Sequence, residues 1–288
     1  MPNQRVWVWR VGAEIVHRLR ENDLMMMAAA ISYYWLLSLI PFLLLGTSAV
    51  GYLVGSSDRA VDEVIATTFR LVPRATGPEV SKLLLTLIKS RQVTGILGIG
   101  GLLWTAMGGF DIIATSLTTL NEGRETRSFF HRKLIAFVLM CTAGFLLVVT
   151  LTGSWVLGAW PNVEKLLGIE VTLPIFLSNP EFPRYASTVL MAILLTIIYR
   201  VAPARRIGWV AAAGGASIAA LVWLGARLVF NWLVVQYSRI SIFLGILSGF
   251  ILLILWIFST AIILLFGGVF ADVFDRTDGA PKPSSGVN

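Results

Sequence analysis

From Ile240 to Ala271 the chain runs for thirty-two residues without an Asp, Glu, Lys, Arg or His. As a helix, that run is about 48 Å long at about 1.5 Å per residue. A bilayer hydrocarbon core is about 30 Å thick and takes about 20 apolar residues to cross. The segment is therefore read as a membrane span. Only 14% of the chain is charged and 56% is hydrophobic, whereas a soluble domain carries about 25% charged residues. The net charge of +7 is accordingly read against a membrane surface, where basic residues set topology and meet anionic headgroups. Nucleic acid is not an expected partner.

Six spans can be drawn, at 24–55, 93–120, 134–158, 185–202, 209–235 and 242–271. Backbone polar groups in lipid need internal partners, so these are helices. The predicted class is an all-α polytopic membrane protein with six transmembrane helices and amphipathic surface helices. With the N-terminus inside, thirteen Lys and Arg residues fall in inside segments and nine in outside segments. That bias predicts cytoplasmic N- and C-termini. The predicted organisation is an inner-leaflet amphipathic helix within 1–23, a six-helix domain over 24–271 and a disordered cytoplasmic tail over 272–288. In the first of these, Val8, Val11, Ile15 and Leu19 line one face, and Arg10, Glu14, Arg18 and Glu21 the other. An outer helical pair is expected over 57–91, with Thr76-Gly77-Pro78-Glu79 at capping-box spacing.

Polar side chains inside spans are costly, so each needs a role. Asp111 and Arg200 lie on the same side of the midplane in the second and fourth spans. They can form a structural ion pair, or Asp111 can be a substrate or proton site, or face inside water alone. Arg227 lies in the other half of the fifth span, with Asn231 one turn away. That pair can hold an anionic group such as phosphate or carboxylate, or Arg227 can snorkel to the outer headgroups. Pro41 interrupts the first span and is a candidate hinge. Gly101, Thr105 and Gly109 recur every four residues, as do Gly245 and Gly249. Small residues at that spacing allow close helix packing. His17 and His131 have no neighbouring ligand set, so no metal is expected. No phosphate-binding loop and no paired carboxylates appear, so neither a cofactor nor enzymatic hydrolysis is expected. The lone Cys141 is read as packing.

Several stretches together resemble the YihY/BrkB family of bacterial inner-membrane proteins. They are Ala28-Ala29-Ala30-Ile31-Ser32-Tyr33-Tyr34 through Ser38-Leu39-Ile40-Pro41, Leu120-Asn121, Tyr199-Arg200-Val201-Ala202-Pro203, and Trp256 followed by Gly267. The resemblance implies six helices in the inner membrane. It also implies virulence, envelope-lipid or transport roles of the kind proposed for various members, whose earlier ribonuclease label is regarded as mistaken. The chain departs from the family in its last span. Leu244 stands where the family often has Tyr, and Gly267-Gly268-Val269-Phe270-Ala271 where it often has Gly-Ala-Glu-x-Asn. A mechanism that uses that Glu does not carry over.

The expected function is a secondary transporter or flippase-like protein for an amphipathic, anionic envelope substrate, with membrane lipids or a small anion as partners. An ion-coupled antiporter in which Asp111 titrates, and a non-transporting envelope scaffold, are the alternatives.

Overall fold

A computed structural model describes residues 14, 17, 18, 20, 23–54, 91–121, 127–167, 182–240 and 245–278. Six long helices cover almost all of them: α1 (Leu24–Val54), α2 (Arg91–Leu120), α3 (Phe129–Leu167), α4 (Phe182–Val201), α5 (Trp209–Ile240) and α6 (Gly245–Asp278). Five carry stretches long and apolar enough to cross a membrane. The sixth, α4, has 20 residues, or about 30 Å of helix, with its apolar part at Ala186–Val201. Large apolar side chains such as Trp104, Phe130, Phe145 and Leu221 lie exposed along these helices. Soluble monomers seldom leave so much contiguous apolar surface uncovered. The chain is an all-α polytopic membrane protein.

The outer pair expected over 57–91 and residues 279–288 fall outside the described residues, apart from Arg91, which opens α2. Of the N-terminal amphipathic helix, Glu14, His17, Arg18 and Arg20 are described, and all four are helical. Arg18 is not on a solvated face as expected: it is 4% exposed. The expected tail also starts too early, because α6 continues past Ala271 to Asp278. Asp272, read as the first tail residue, is fully buried.

The helices divide into two compact units, and the division passes through α1 and α2. One unit is the hairpin part, Tyr33–Gly109. Within it, α1 and α2 run antiparallel in constant register. A Cβ added to Gly95, Gly98, Gly101 or Gly108 would meet Ser48, Leu45, Pro41 or Tyr34 respectively. Gly109 faces Trp35 and Tyr34. Small residues on one face of α2 thus admit the bulkier face of α1. Pro41, the expected hinge, is buried in this contact with Gly101 opposite, 3.0 Å from the added Cβ, and α1 continues through it. A hinge there would have to break the packing that holds it.

The other unit comprises the described residues on either side of that hairpin. Its α5 packs most extensively on α6, then on α4, and α3 packs on α4. The α5 face is built from Ala211, Ala212, Gly215, Ala216, Ala219 and Ala220, all buried. Opposite Gly215 lie the carbonyl of Gly267 and the methyl of Ala271. Gly249 does not share in such packing: it is exposed, and a Cβ there would meet nothing within 4 Å. Gly245 opens α6. The packing glycines of α6 are Gly267 and Gly268, which admit the Tyr199 ring. The Tyr199 hydroxyl donates to the Leu264 carbonyl at 2.8 Å, so α4 is tied to α6. Replacing Tyr199 by Phe is expected to remove about 1 kcal/mol, read as a lower unfolding temperature of the purified protein in detergent.

Candidate functional site at the charged helix ends

α1 starts at Asp23, whose left-handed backbone (φ 48°) turns the chain so that its carbonyl accepts from Met26 and Met27. An aspartate tolerates that conformation better than most residues. α2 ends at Leu120 and α3 begins at Phe129 after a short connection. α4 stops at Val201, two residues before Pro203, which disfavours a helical residue ahead of it. The last carbonyls of a helix lack intrahelical partners and form its negative end. Here Arg127 donates to the Ala202 carbonyl at 2.9 Å and to the Pro203 carbonyl. Thr118 accepts from the Ala204 amide at 3.1 Å.

At the centre stands Asp272. Its Oδ1 accepts from Arg205 Nη1 at 2.8 Å, and its Oδ2 from both Arg18 Nη1 and Arg276 Nε at 2.7 Å. The three arginines come from the N-terminal helix, the α4–α5 connection and α6 itself. Arg18 also holds Glu14 at 2.8 Å, and Arg205 holds Asp275 at 3.1 Å. Asp275 in turn accepts from the Gly208 amide at 2.8 Å. Arg276 Nη2 donates to the Asn121 carbonyl at 2.6 Å, tying in the end of α2. A buried carboxylate is tolerated only when paired and hydrogen-bonded, and three guanidiniums meet that demand.

Beside this clasp lies an anomaly. Asn121 is 1% exposed, and among the described residues neither its side-chain oxygen nor its nitrogen has a hydrogen-bond partner. Leaving a buried polar group unpaired costs about 1–3 kcal/mol.

Asp111 does not pair with Arg200. Lys133 Nζ lies 2.8 Å from its Oδ2, and Arg132 Nε is 2.8 Å from its Oδ1 in ion contact without hydrogen-bond alignment. The reason is that α3 begins five residues earlier than expected, so its first turns bring both cations back alongside α2. Arg200 instead donates to the Ile207 carbonyl and lies 5.5 Å from the Trp209 ring centroid. Arg227 and Asn231 sit one turn apart on α5, Arg227 half-buried and Asn231 exposed. The Arg227 guanidinium lies over Trp223, 5.9 Å from its centroid. Trp223 neighbours Trp256, which packs against Phe230. Among the described residues, Arg227 makes no ion pair. Within the five long apolar stretches the other charged side chains, Asp111, Arg132, Lys133, Asp272, Asp275 and Arg276, all pair with one another or with Arg18 and Arg205, while Arg200 of α4, like Arg227, makes no ion pair among the described residues. Among the described residues, no group of three His, Cys, Asp or Glu side chains could hold a metal ion.

The model of the family described as "Virulence factor BrkB" matches residues 15–286. The chain belongs to the BrkB family. The match spans the charged helix ends as well as the spans. Among curated relatives, "Putative ribonuclease-like protein YfkH" of Bacillus subtilis (strain 168) is 26% identical over 245 residues, 84% of this chain and 86% of that protein. "UPF0761 membrane protein PM1616" of Pasteurella multocida (strain Pm70) is 25% identical over 59% of this chain and 54% of its own length. A UPF0761 membrane protein of Chromobacterium violaceum is 22% identical over 92% of this chain and 62% of its own length. The chain thus spans less than two thirds of these two longer relatives. No solved structure matches it.

Sequence reasoning missed Arg18, Arg205, Asp272 and Arg276 as site residues. Their spacing gave no signal, since the partners lie 254 and 67 residues apart. Asn121 was visible only through the family motif Leu120-Asn121.

Proposed function

We propose that this BrkB-family protein carries an amphipathic, anionic envelope molecule across the membrane, as a secondary transporter or flippase-like protein rather than an enzyme. The observation that supports this is Arg227. From Trp209 to Arg227 is about 27 Å of helix, which places the guanidinium near the far edge of the hydrocarbon layer. A cation at that depth needs an anionic or polar partner, and the described protein supplies only the face of an indole. A lipid phosphate or carboxylate beside the exposed Asn231 would complete it. The positive-inside rule puts the charged helix ends on the cytoplasmic side, so Arg227 would meet molecules of the outer leaflet.

The test is reconstitution into liposomes holding a fluorescent anionic phospholipid, with leaflet exchange read by a membrane-impermeant quencher. Exchange is expected in wild-type vesicles. Replacing Arg227 by Ala should slow it about tenfold, and by Lys less, since a point charge retains attraction but not bidentate geometry. Equal exchange in wild-type and empty vesicles, with and without ion gradients, overturns the carrier. Gradient-driven ion flux lost on Asp111→Asn would instead favour the antiporter. A scaffold is the second reading, favoured by the clasp: Arg18, Arg205 and Arg276 are matched one for one by Glu14, Asp272 and Asp275. It predicts no flux and a co-purifying partner.

A further inference from the structure

The geometry points to the arginine clasp as a binding site for a phosphate-type anion, with the Asp272 carboxylate acting as its built-in stand-in. This names the headgroup chemistry of the proposed cargo and rests on the carrier reading for the ligand's identity. Three guanidiniums from three separate elements converge on two carboxylate oxygens, and Oδ2 is shared by Arg18 and Arg276. A phosphate group, with three terminal oxygens, would give each guanidinium its own acceptor. The Asn121 amide fits the same picture. It is buried, unpartnered in both directions, and its backbone carbonyl already holds Arg276. Its N–H donors would serve the further lone pairs of a phosphate, which Asp272 does not supply.

The approach side follows from exposure. The side chains of Arg205 and Arg276 are 40% and 34% exposed, while Arg18 is 5% exposed and Asp272 fully buried. An anion would reach Arg205 and Arg276 first and displace the carboxylate behind them. Displacing it also breaks the Arg18–Asp272 pair, so binding at this end would loosen that tie between the N-terminal helix and α6.

The experiment is thermal unfolding of the full-length protein in a neutral detergent, titrated with inorganic phosphate, with a short-chain phosphatidic acid, and with sodium acetate at matched ionic strength. Wild-type protein is expected to be stabilised by a phosphate probe and not by acetate. Asn121→Ala should weaken that response about tenfold, one good hydrogen bond to a charged group, without lowering the probe-free transition. Asp272→Asn should tighten it about tenfold or more, because the internal competitor has lost its charge. A purely structural ion cluster gives no such gain. Response to inorganic phosphate assigns the site to the free anion, and response to the phosphatidic acid alone assigns it to a lipid headgroup. No response in wild-type or Asp272→Asn protein overturns the site, as does equal stabilisation by acetate. If Asp272→Asn does not fold, an unchanged response in Asn121→Ala overturns it. Arg227→Ala should leave this binding intact. Phosphate binding here without lipid exchange would therefore overturn the carrier and keep the site.

Discussion

Replacing Asp272 by Ala is expected to be the most damaging single polar substitution in this protein, at about 3–5 kcal/mol. The carboxylate is fully buried and accepts from three arginines. Removing it takes the shared counter-charge from Arg18, almost as buried, and from two further cations, while Glu14 and Asp275 stay with Arg18 and Arg205. The loss comes less from the attraction forgone than from the uncompensated charge that remains. Unfolding of the purified variant in detergent measures it. Asp275→Ala is the comparison, since Asp275 is partly exposed and holds only Arg205 and the Gly208 amide. It should cost much less. A similar cost for the two would mean that the clasp is not the centre of this network.

A large effect of adding atoms is expected at Gly267, which faces Gly215 across the α5–α6 contact. A Cβ there would collide with the Tyr199 hydroxyl, stand 2.6 Å from the Ala219 methyl and 3.0 Å from the Gly215 carbonyl. A backbone oxygen cannot move aside as a flexible side chain does. Gly267→Val should therefore part α5 from α6 and break the Tyr199–Leu264 hydrogen bond, costing about 3 kcal/mol, the upper part of the overpacking range. Gly225→Val and Gly249→Val serve as controls, because a Cβ at either glycine meets nothing within 4 Å. Both should stay within about 0.5 kcal/mol of wild type. Melting temperatures of the three variants in one detergent decide between packing and a general aversion to valine.

What could be read from the sequence was what is local. The uncharged run from Ile240 announced α6, and small residues at Gly101 and Gly109 marked the face that α2 turns to α1. Charges were harder. Asp272, Asp275 and Arg276 looked like the start of a solvated tail, because an isolated segment carrying them would be one. Their burial depends on Arg18 and Arg205, brought there only by the fold. Depth arithmetic allowed Asp111 to meet Arg200, and was silent about Arg132 and Lys133 because they were counted as loop. A five-residue error in the start of α3 changed the partner of a buried carboxylate. Gly215 escaped notice, and Gly267 was read only as part of the family pattern, for a related reason: as packing residues they are informative only as a facing pair. Arg227 was legible as a cation in a span. That it lacks an ion-pair partner among the described residues could be learned only after the other charges had been paired.

The Arg18–Asp272 pair joins residues 254 positions apart, and this has a consequence for biogenesis. Translation delivers Arg18 well before Asp272. Until α6 has entered the membrane, Arg18 and Arg205 lack the Asp272 carboxylate that joins them. The charged end cannot close before α6 arrives. Insertion of α6 is what brings Asp272 to these arginines. A chain stalled before it displays three elements that remain undocked, which is the kind of signal by which membrane quality control tells an unfinished protein from a finished one.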